Sequence, residues 1–216
     1  MSTLTEELRQ RHGDLWERMV THPFVRELGD GTLPRRKLRH YFLQDRLFVD
    51  ALVKTVALAI AKAPDSGVAR PLGDFLRDVL HAEDDLFRRT FQSLGVDAEE
   101  QRAARPSEVT LAFSSYLVCL AYEGTFEETV CALLVTEWTY HDWATRLVAA
   151  RKLPGDDLYR GWIDIHVAET LGQFVAFLRS HLDRADLGPR GRERVEQVFS
   201  TVLQYELEFW EAAYQG

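Results

Sequence analysis

Apolar residues in this 216-residue chain recur at every third or fourth position over long stretches, the spacing that lays them along one face of an α-helix. Strand-like alternation bounded by turn residues is absent. This periodicity predicts an all-α fold with helices over 3–20, 34–62, 67–94, 107–123, 125–151, 156–183 and 190–214. The punctuation agrees. Gly29-Asp30-Gly31 ends one segment, and the next opens with Thr32, a candidate cap, and Pro34, tolerated in a first turn. Ala63-Pro64-Asp65-Ser66-Gly67, Arg105-Pro106-Ser107-Glu108, Glu123-Gly124-Thr125, Leu153-Pro154-Gly155-Asp156 and Leu187-Gly188-Pro189 make the later breaks. With no repeat and no low-complexity linker, residues 1–216 are expected to form a single multi-helix domain. A chain this long buries a substantial core without disulfides or a structural metal.

Charge and composition narrow the partners. The net charge is −8, from 26 Lys and Arg against 34 Asp and Glu, and no long basic run supplies the phosphate-neutralising surface that nucleic acid requires. No apolar run approaches the roughly 20 residues that span a bilayer, so no membrane partner is expected. The segment Met1 to Glu7 has neither an apolar signal core nor a basic lead, and the expectation is a cytoplasmic protein. Cys119 and Cys131 lie in apolar helical segments without the spacing of a disulfide framework or a metal site.

The informative residues interrupt the apolar stripes. Leu38, Tyr41, Asp45, Phe48 and Leu52 share one helical face, and Asp45 occupies a position that the pattern reserves for an apolar residue. Phe199, Val202, Glu206, Phe209 and Ala213 repeat the pattern near the end of the chain. Leu133, Glu137, Tyr140, Ala144 and Leu147 do so between them, with Thr136 on the flank. An unpaired buried carboxylate costs several kcal/mol, a large fraction of a domain's net stability. Taken singly, such a carboxylate is ordinarily a structural ion pair or a helix-crossing hydrogen bond. Two of them on separate aromatic-rich helices point instead to a ligand pocket.

Several runs together resemble the TenA (thiaminase II) family. They are His22-Pro23-Phe24-Val25, Leu28-Gly29-Asp30-Gly31-Thr32-Leu33-Pro34, Tyr41-Phe42-Leu43-Gln44-Asp45, Leu133-Leu134 with Trp138-Thr139-Tyr140, Tyr159-Arg160-Gly161-Trp162-Ile163, and Tyr205-Glu206-Leu207-Glu208-Phe209-Trp210. The resemblance covers nearly the whole chain in order. It implies a heme-oxygenase-like helical bundle, assembled as a homo-oligomer (tetramer or dimer), and hydrolysis that removes an amino or formylamino group from aminopyrimidines or cleaves thiamin. It implies no metal and no organic cofactor. Asp45 and Glu206 fall where the family has its two pyrimidine-binding carboxylates, Tyr140 matches a pocket tyrosine, and Phe209 matches a ring that packs on the substrate. The residue types suit a heteroaromatic small molecule. A buried carboxylic acid can protonate a ring or exocyclic nitrogen near neutral pH, a second carboxylate can orient the substrate, and aromatic walls sandwich a flat ring.

The pattern also departs from the family. Thr136 stands where the family has its nucleophilic cysteine, and a threonine hydroxyl needs an adjacent base. Some relatives carry a glutamate in place of that cysteine, a part open to Glu137, although neighbours on a helix point about 100° apart. Cys131, more than a turn away on another face, is no substitute. Phe48, Phe113 and His166 replace three pocket tyrosines, which makes the pocket more apolar; His166 could orient a water or act as acid or base. Three functions are therefore carried forward. The first is a TenA-type hydrolase with Glu206 as acid/base, Asp45 as anchor, Tyr140 as hydrogen-bond donor, and Thr136 or Glu137 at the point of nucleophile activation. The second is a non-hydrolytic binding or tailoring protein for another apolar metabolite. The third is a non-heme di-iron oxygenase, for which Glu83, Asp142 and His166 are candidate ligands but Phe87, Thr170 and Gln173 stand where further ligands are wanted.

Overall fold

The computed structural model describes residues 2–216, apart from the side chains of residues 82–84. Twelve α-helices and one π-helical turn occur among the described residues, and no strand does. Helices α1 (Leu4–Arg11), α2 (Gly13–Val20) and α3 (Pro23–Gly29) lead to the long α4 (Arg35–Lys62). Then come α5 (Ser66–Asp78), the π-turn (Val79–Glu83), α6 (Asp84–Leu94), α7 (Ala98–Ala103), α8 (Glu108–Glu123), α9 (Phe126–Ala149), α10 (Asp157–His166), α11 (Glu169–Arg184) and α12 (Pro189–Gln215). No helix among the described residues is long and apolar enough to cross a membrane.

Local chemistry sets most boundaries. Thr3 and Glu6 form a reciprocal capping box at α1, and the side chains of Asp65, Asp97, Ser107, Thr125 and Asp156 accept backbone N–H groups at the starts of α5, α7, α8, α9 and α10. The end of α8 is closed by Lys62, whose Nζ donates to the carbonyls of Tyr122 (3.0 Å) and Gly124 (2.7 Å). Helical periodicity hides finer breaks. The expected helix 3–20 divides at His12, just before Gly13, and the expected helix 67–94 contains the π-turn. The expected helix 156–183 divides at Val167, where the His166 carbonyl accepts from His141 Nδ1 (2.9 Å) rather than continuing the ladder. Two short helices, α3 and α7, fall below the length at which periodicity registers. Thr32 does not cap α4: Pro34 occupies the cap position.

Helices α4, α8, α9 and α12 pack around the core, with α5 and α11 closing one side and α10 lying against α9. The wholly buried side chains include Trp16, Trp143, Trp210, Tyr41, Phe24, Phe42, Phe113 and Phe199. Removing one such ring from water stabilises the fold by roughly 1.5–3 kcal/mol. Two polar clamps fix the helices that build the site. Gln44 Oε1 accepts from Ser107 N and from Thr110 Oγ1, both at 2.8 Å, tying the start of α8 to α4 beside Asp45. Tyr159 Oη donates to the Leu33 carbonyl (2.7 Å), tying α10 to the turn that precedes α4.

Candidate active site

The helical stripes deliver their carboxylates to one place. Asp45 on α4 is 6 % exposed and Glu206 on α12 is 2 % exposed. The Glu206 carboxyl is pushed well above its ordinary range, first by burial and then by the negative charges of Glu137 and Asp45. The shift favours the protonated acid over the carboxylate. Between these acids lie two phenols: Tyr41 Oη and Tyr140 Oη share a hydrogen bond at 3.1 Å. Burial raises both phenols well above 10, and the Asp45 and Glu206 carboxylates add to the shift in each. Three carboxyl groups from α4, α9 and α12 thus act on one pair of tyrosine hydroxyls.

Aromatic rings wall this cluster. Phe48 lies 4.8 Å from Phe113 and 5.8 Å from Phe209, and Phe209 meets Tyr41 edge-on at 5.8 Å. Phe113 also stacks on Tyr205 at 5.2 Å. On the other side Tyr140 lies 5.0 Å from His166, which is ringed by Trp162 (4.4 Å) and Trp143 (5.4 Å). The His166 Nδ1–H donates to the Trp162 carbonyl (2.8 Å), and burial lowers the imidazole pKa to about 4, so the ring is neutral at pH 7.

Thr136 and Glu137 are closer partners than adjacent helical positions imply. Thr136 is buried, and its Oγ1 lies 3.2 Å from Glu137 Oε1 and 2.9 Å from the Leu133 carbonyl, so its one proton has two acceptors. The long glutamate side chain curls back to make this contact. Cys131 is buried on another face, donates to the Val195 carbonyl (3.4 Å), and has its thiol pushed far up by burial. An inert thiol results.

A cleft of about 880 Å³ leads inward between α5, the start of the π-turn, and α11. Glu137 and His166 line it, with Val79, Phe75, Leu171 and Phe174 among its walls. Phe75 and Phe174 stack at 4.1 Å with only 9° between their planes. The same two residues, Glu137 and His166, border the buried acid cluster, so the cleft ends where that cluster begins. Nothing in the residue pattern marks the cleft, because α5 and α11 carry ordinary amphipathic stripes. Tyr41 was detectable, one helical turn before Asp45 on the same face.

Among the described residues the di-iron candidates form no ligand group. Asp142 accepts from Trp16 Nε1 (2.7 Å), Arg9 Nη2 (3.0 Å) and Arg146 Nε (2.9 Å). Burial alone would raise its pKa, but the hydrogen bonds from Arg146 and Trp16 prevail and lower it. This is a structural ion-pair network linking α9 to α1 and α2. The Glu83 side chain lies outside the described residues, Phe87 packs against Phe42 and Phe91, and Gln173 donates to Glu169. No group of three or more metal-holding side chains occurs among the described residues.

A profile of the TENA/THI-4/PQQC family matches residues 9–216. The chain belongs to this family. It is 29 % identical over 209 residues to an aminopyrimidine aminohydrolase of Halalkalibacterium halodurans, covering 96 % of this chain and 93 % of that protein. Among solved structures, a TenA homologue from P. horikoshii OT3 superposes with a TM-score of 0.89 at 28 % identity, covering 99 % of both chains. A domain of unknown function from Shewanella denitrificans, described as having a heme oxygenase-like fold, superposes with a TM-score of 0.78 at 15 % identity, covering 100 % of this chain and 93 % of that one. The TenA-type helical fold expected from the sequence is the fold observed.

Proposed function

We propose that this chain is a TenA-type hydrolase that removes an amino or amide substituent from an aminopyrimidine or a related heteroaromatic compound, in thiamin salvage or chemistry resembling it. The observation that carries this reading is the buried Glu206 carboxyl, its pKa raised by burial and by the charges of Glu137 and Asp45, beside the hydrogen-bonded Tyr41–Tyr140 pair. Glu206 donates its proton to the substrate nitrogen, which makes the adjacent carbon electrophilic. Asp45 anchors the ring and Tyr140 donates a hydrogen bond. Phe48, Phe113 and Phe209 hold the flat ring by its faces and edges.

Glu137 is the better candidate than Thr136 for nucleophile activation. It lines the cleft through which water arrives, and it carries the carboxylate that the Thr136 hydroxyl can only lean on. Glu137 takes a proton from water, and the water oxygen bonds to the ring or acyl carbon. The carbon–nitrogen bond then breaks with its electron pair going to nitrogen, and the amine leaves with the proton from Glu206. His166, neutral at pH 7, orients water or substrate at the inner end of the cleft.

The test is turnover of an aminopyrimidine, its N-formyl derivative and thiamin by the purified protein. Release of amine or ammonia from at least one is expected, and Glu206→Gln is expected to lose at least about a hundredfold in kcat with its circular dichroism unchanged, the usual reach of a general acid. A folded protein inert towards all three sinks the hydrolytic reading. Binding without turnover would then support the alternative of a binding protein, which the hydroxyl-free walls of Phe48 and Phe113 favour.

A further inference from the structure

The cleft is larger than the reaction proposed above needs. A bare aminopyrimidine fills only a small part of about 880 Å³, a volume in the range of sites that enclose drug-sized ligands. The excess space has a definite character. Its inner end is polar, at Glu137 and His166, while Phe75, Phe174, Phe177 and Leu171 make the middle apolar. The rim carries Arg70, Asp74, Arg77 and Asp78, all on α5.

That rim neutralises itself. Arg77 pairs with Asp74 (3.0 Å) and with Asp78 (3.2 Å), so the mouth presents no concentrated field of one sign for an ionic ligand. The stacked Phe75 and Phe174 join α5 to α11 and give the apolar middle a fixed wall. The cleft and the acid cluster adjoin at two residues. Glu137 lines the cleft and acts on both Glu206 and Tyr140, and the His166 ring lies 5.0 Å from the Tyr140 ring. A molecule with its heteroaromatic head among Asp45, Tyr140 and Glu206 can therefore extend a substituent past Glu137 and His166 into the apolar channel.

We propose that the substrate is a heteroaromatic amine bearing an extended apolar arm, such as a medium-chain N-acyl group, with the head in the carboxylate cluster and the arm in the α5–α11 cleft. This rests on the hydrolytic site described above for the placement of the head. Hydrolysis of such an amide adds the water oxygen to the acyl carbon and breaks the bond to nitrogen, releasing the free amine and a medium-chain carboxylic acid.

Isothermal titration calorimetry with 4-aminopyrimidine and its N-formyl, N-butanoyl and N-octanoyl amides tests the arm. Each buried methylene can tighten binding by about three- to fourfold. The octanoyl amide is therefore expected to bind at least about tenfold tighter than the formyl amide, even if part of the chain stays wet. Thr170→Trp and Gln173→Trp place a bulky ring in the cleft from exposed positions on α11. In each variant, with circular dichroism confirming the fold, the octanoyl-to-formyl ratio is expected to collapse towards unity.

A flat chain-length series in the wild type overturns the inference. So does an octanoyl advantage retained in full by both tryptophan variants, because the arm would then lie elsewhere. Amine release measured on the same compounds separates the two readings. Chain-dependent binding with no amine released sinks hydrolysis and leaves the arm site standing. Amine released from the formyl amide alongside a flat chain-length series sinks the arm site and leaves hydrolysis standing.

Discussion

Acidification of the wild type and of His166→Gln, side by side, measures how thoroughly the inner end of the cleft is closed. The His166 ring is 8 % exposed and packed among Trp162, Tyr140 and Trp143. Burial lowers its pKa from 6.5 to about 4; the Trp162 carbonyl opposes this, and His141 adds a smaller repulsion. In the unfolded chain the ring takes up its proton near pH 6.5, whereas in the folded protein it does so only near pH 4. Within that window the unfolded state binds more protons, so stability falls as the pH drops. The contribution is fully present above pH 6.5 and is lost by about pH 4. At about 1.4 kcal/mol per pH unit, the gap sets a ceiling of roughly 3 kcal/mol. The ring edge that faces the cleft meets solvent, so about 2 kcal/mol is the working expectation.

Urea unfolding at several pH values between 7.5 and 4 supplies the measurement. His22, His40 and His181 also have lowered pKa values, but they titrate in both proteins and cancel in the difference. The stability of the wild type minus that of the variant is expected to decline by about 2 kcal/mol across the window. A difference that does not change with pH refutes the reasoning, and shows that the imidazole takes up its proton in the folded protein as it does in the unfolded chain.

Other outcomes can be stated more briefly. Tyr41→Phe deletes the hydrogen bond to Tyr140 and is expected to cost about 1–2 kcal/mol in chemical denaturation, and an unchanged midpoint would show that water replaces the lost partner. Gly124→Ala would place a Cβ 2.6 Å from Glu128 Oε2 and 2.7 Å from the Leu120 carbonyl oxygen. A loss of about 1–3 kcal/mol, read as a Tm several degrees lower, is expected, and an unaltered Tm refutes the crowding. A thiol reagent is expected to modify exposed Cys119 in the native protein and Cys131 only after unfolding. Rapid native reaction at both would contradict the burial of Cys131.

The long helices were legible because each must bury one face, and that requirement writes a 3.6-residue period into α4, α9 and α12. Asp45 and Glu206 stood out by violating the period. The breaks at His12 and Val167 were hidden, because the apolar spacing runs through them and the hydrogen bond that diverts the His166 carbonyl comes from His141 on another helix. The contact between Thr136 and Glu137 was obscured for a different reason. Helical geometry fixes where a Cβ points, but not where a flexible glutamate ends. The cleft between α5 and α11 is a tertiary property of two unremarkable amphipathic helices. Asp142 looked like a ligand because only the fold reveals that Arg9, Trp16 and Arg146 surround it.

The aromatic packing around His166 has an optical consequence. Of the five tryptophans in the chain, Trp143 and Trp162 flank His166, and Trp210 lies 5.3 Å from Tyr140, whereas Trp16 and Trp138 pair at 4.8 Å beneath the Arg9 guanidinium. Indole emission follows the polarity and quenchers around each ring. A ligand held against His166 and Tyr140 would therefore shift the emission of the first group, while the second, moored to the ion-pair network, would serve as an internal reference in the same spectrum.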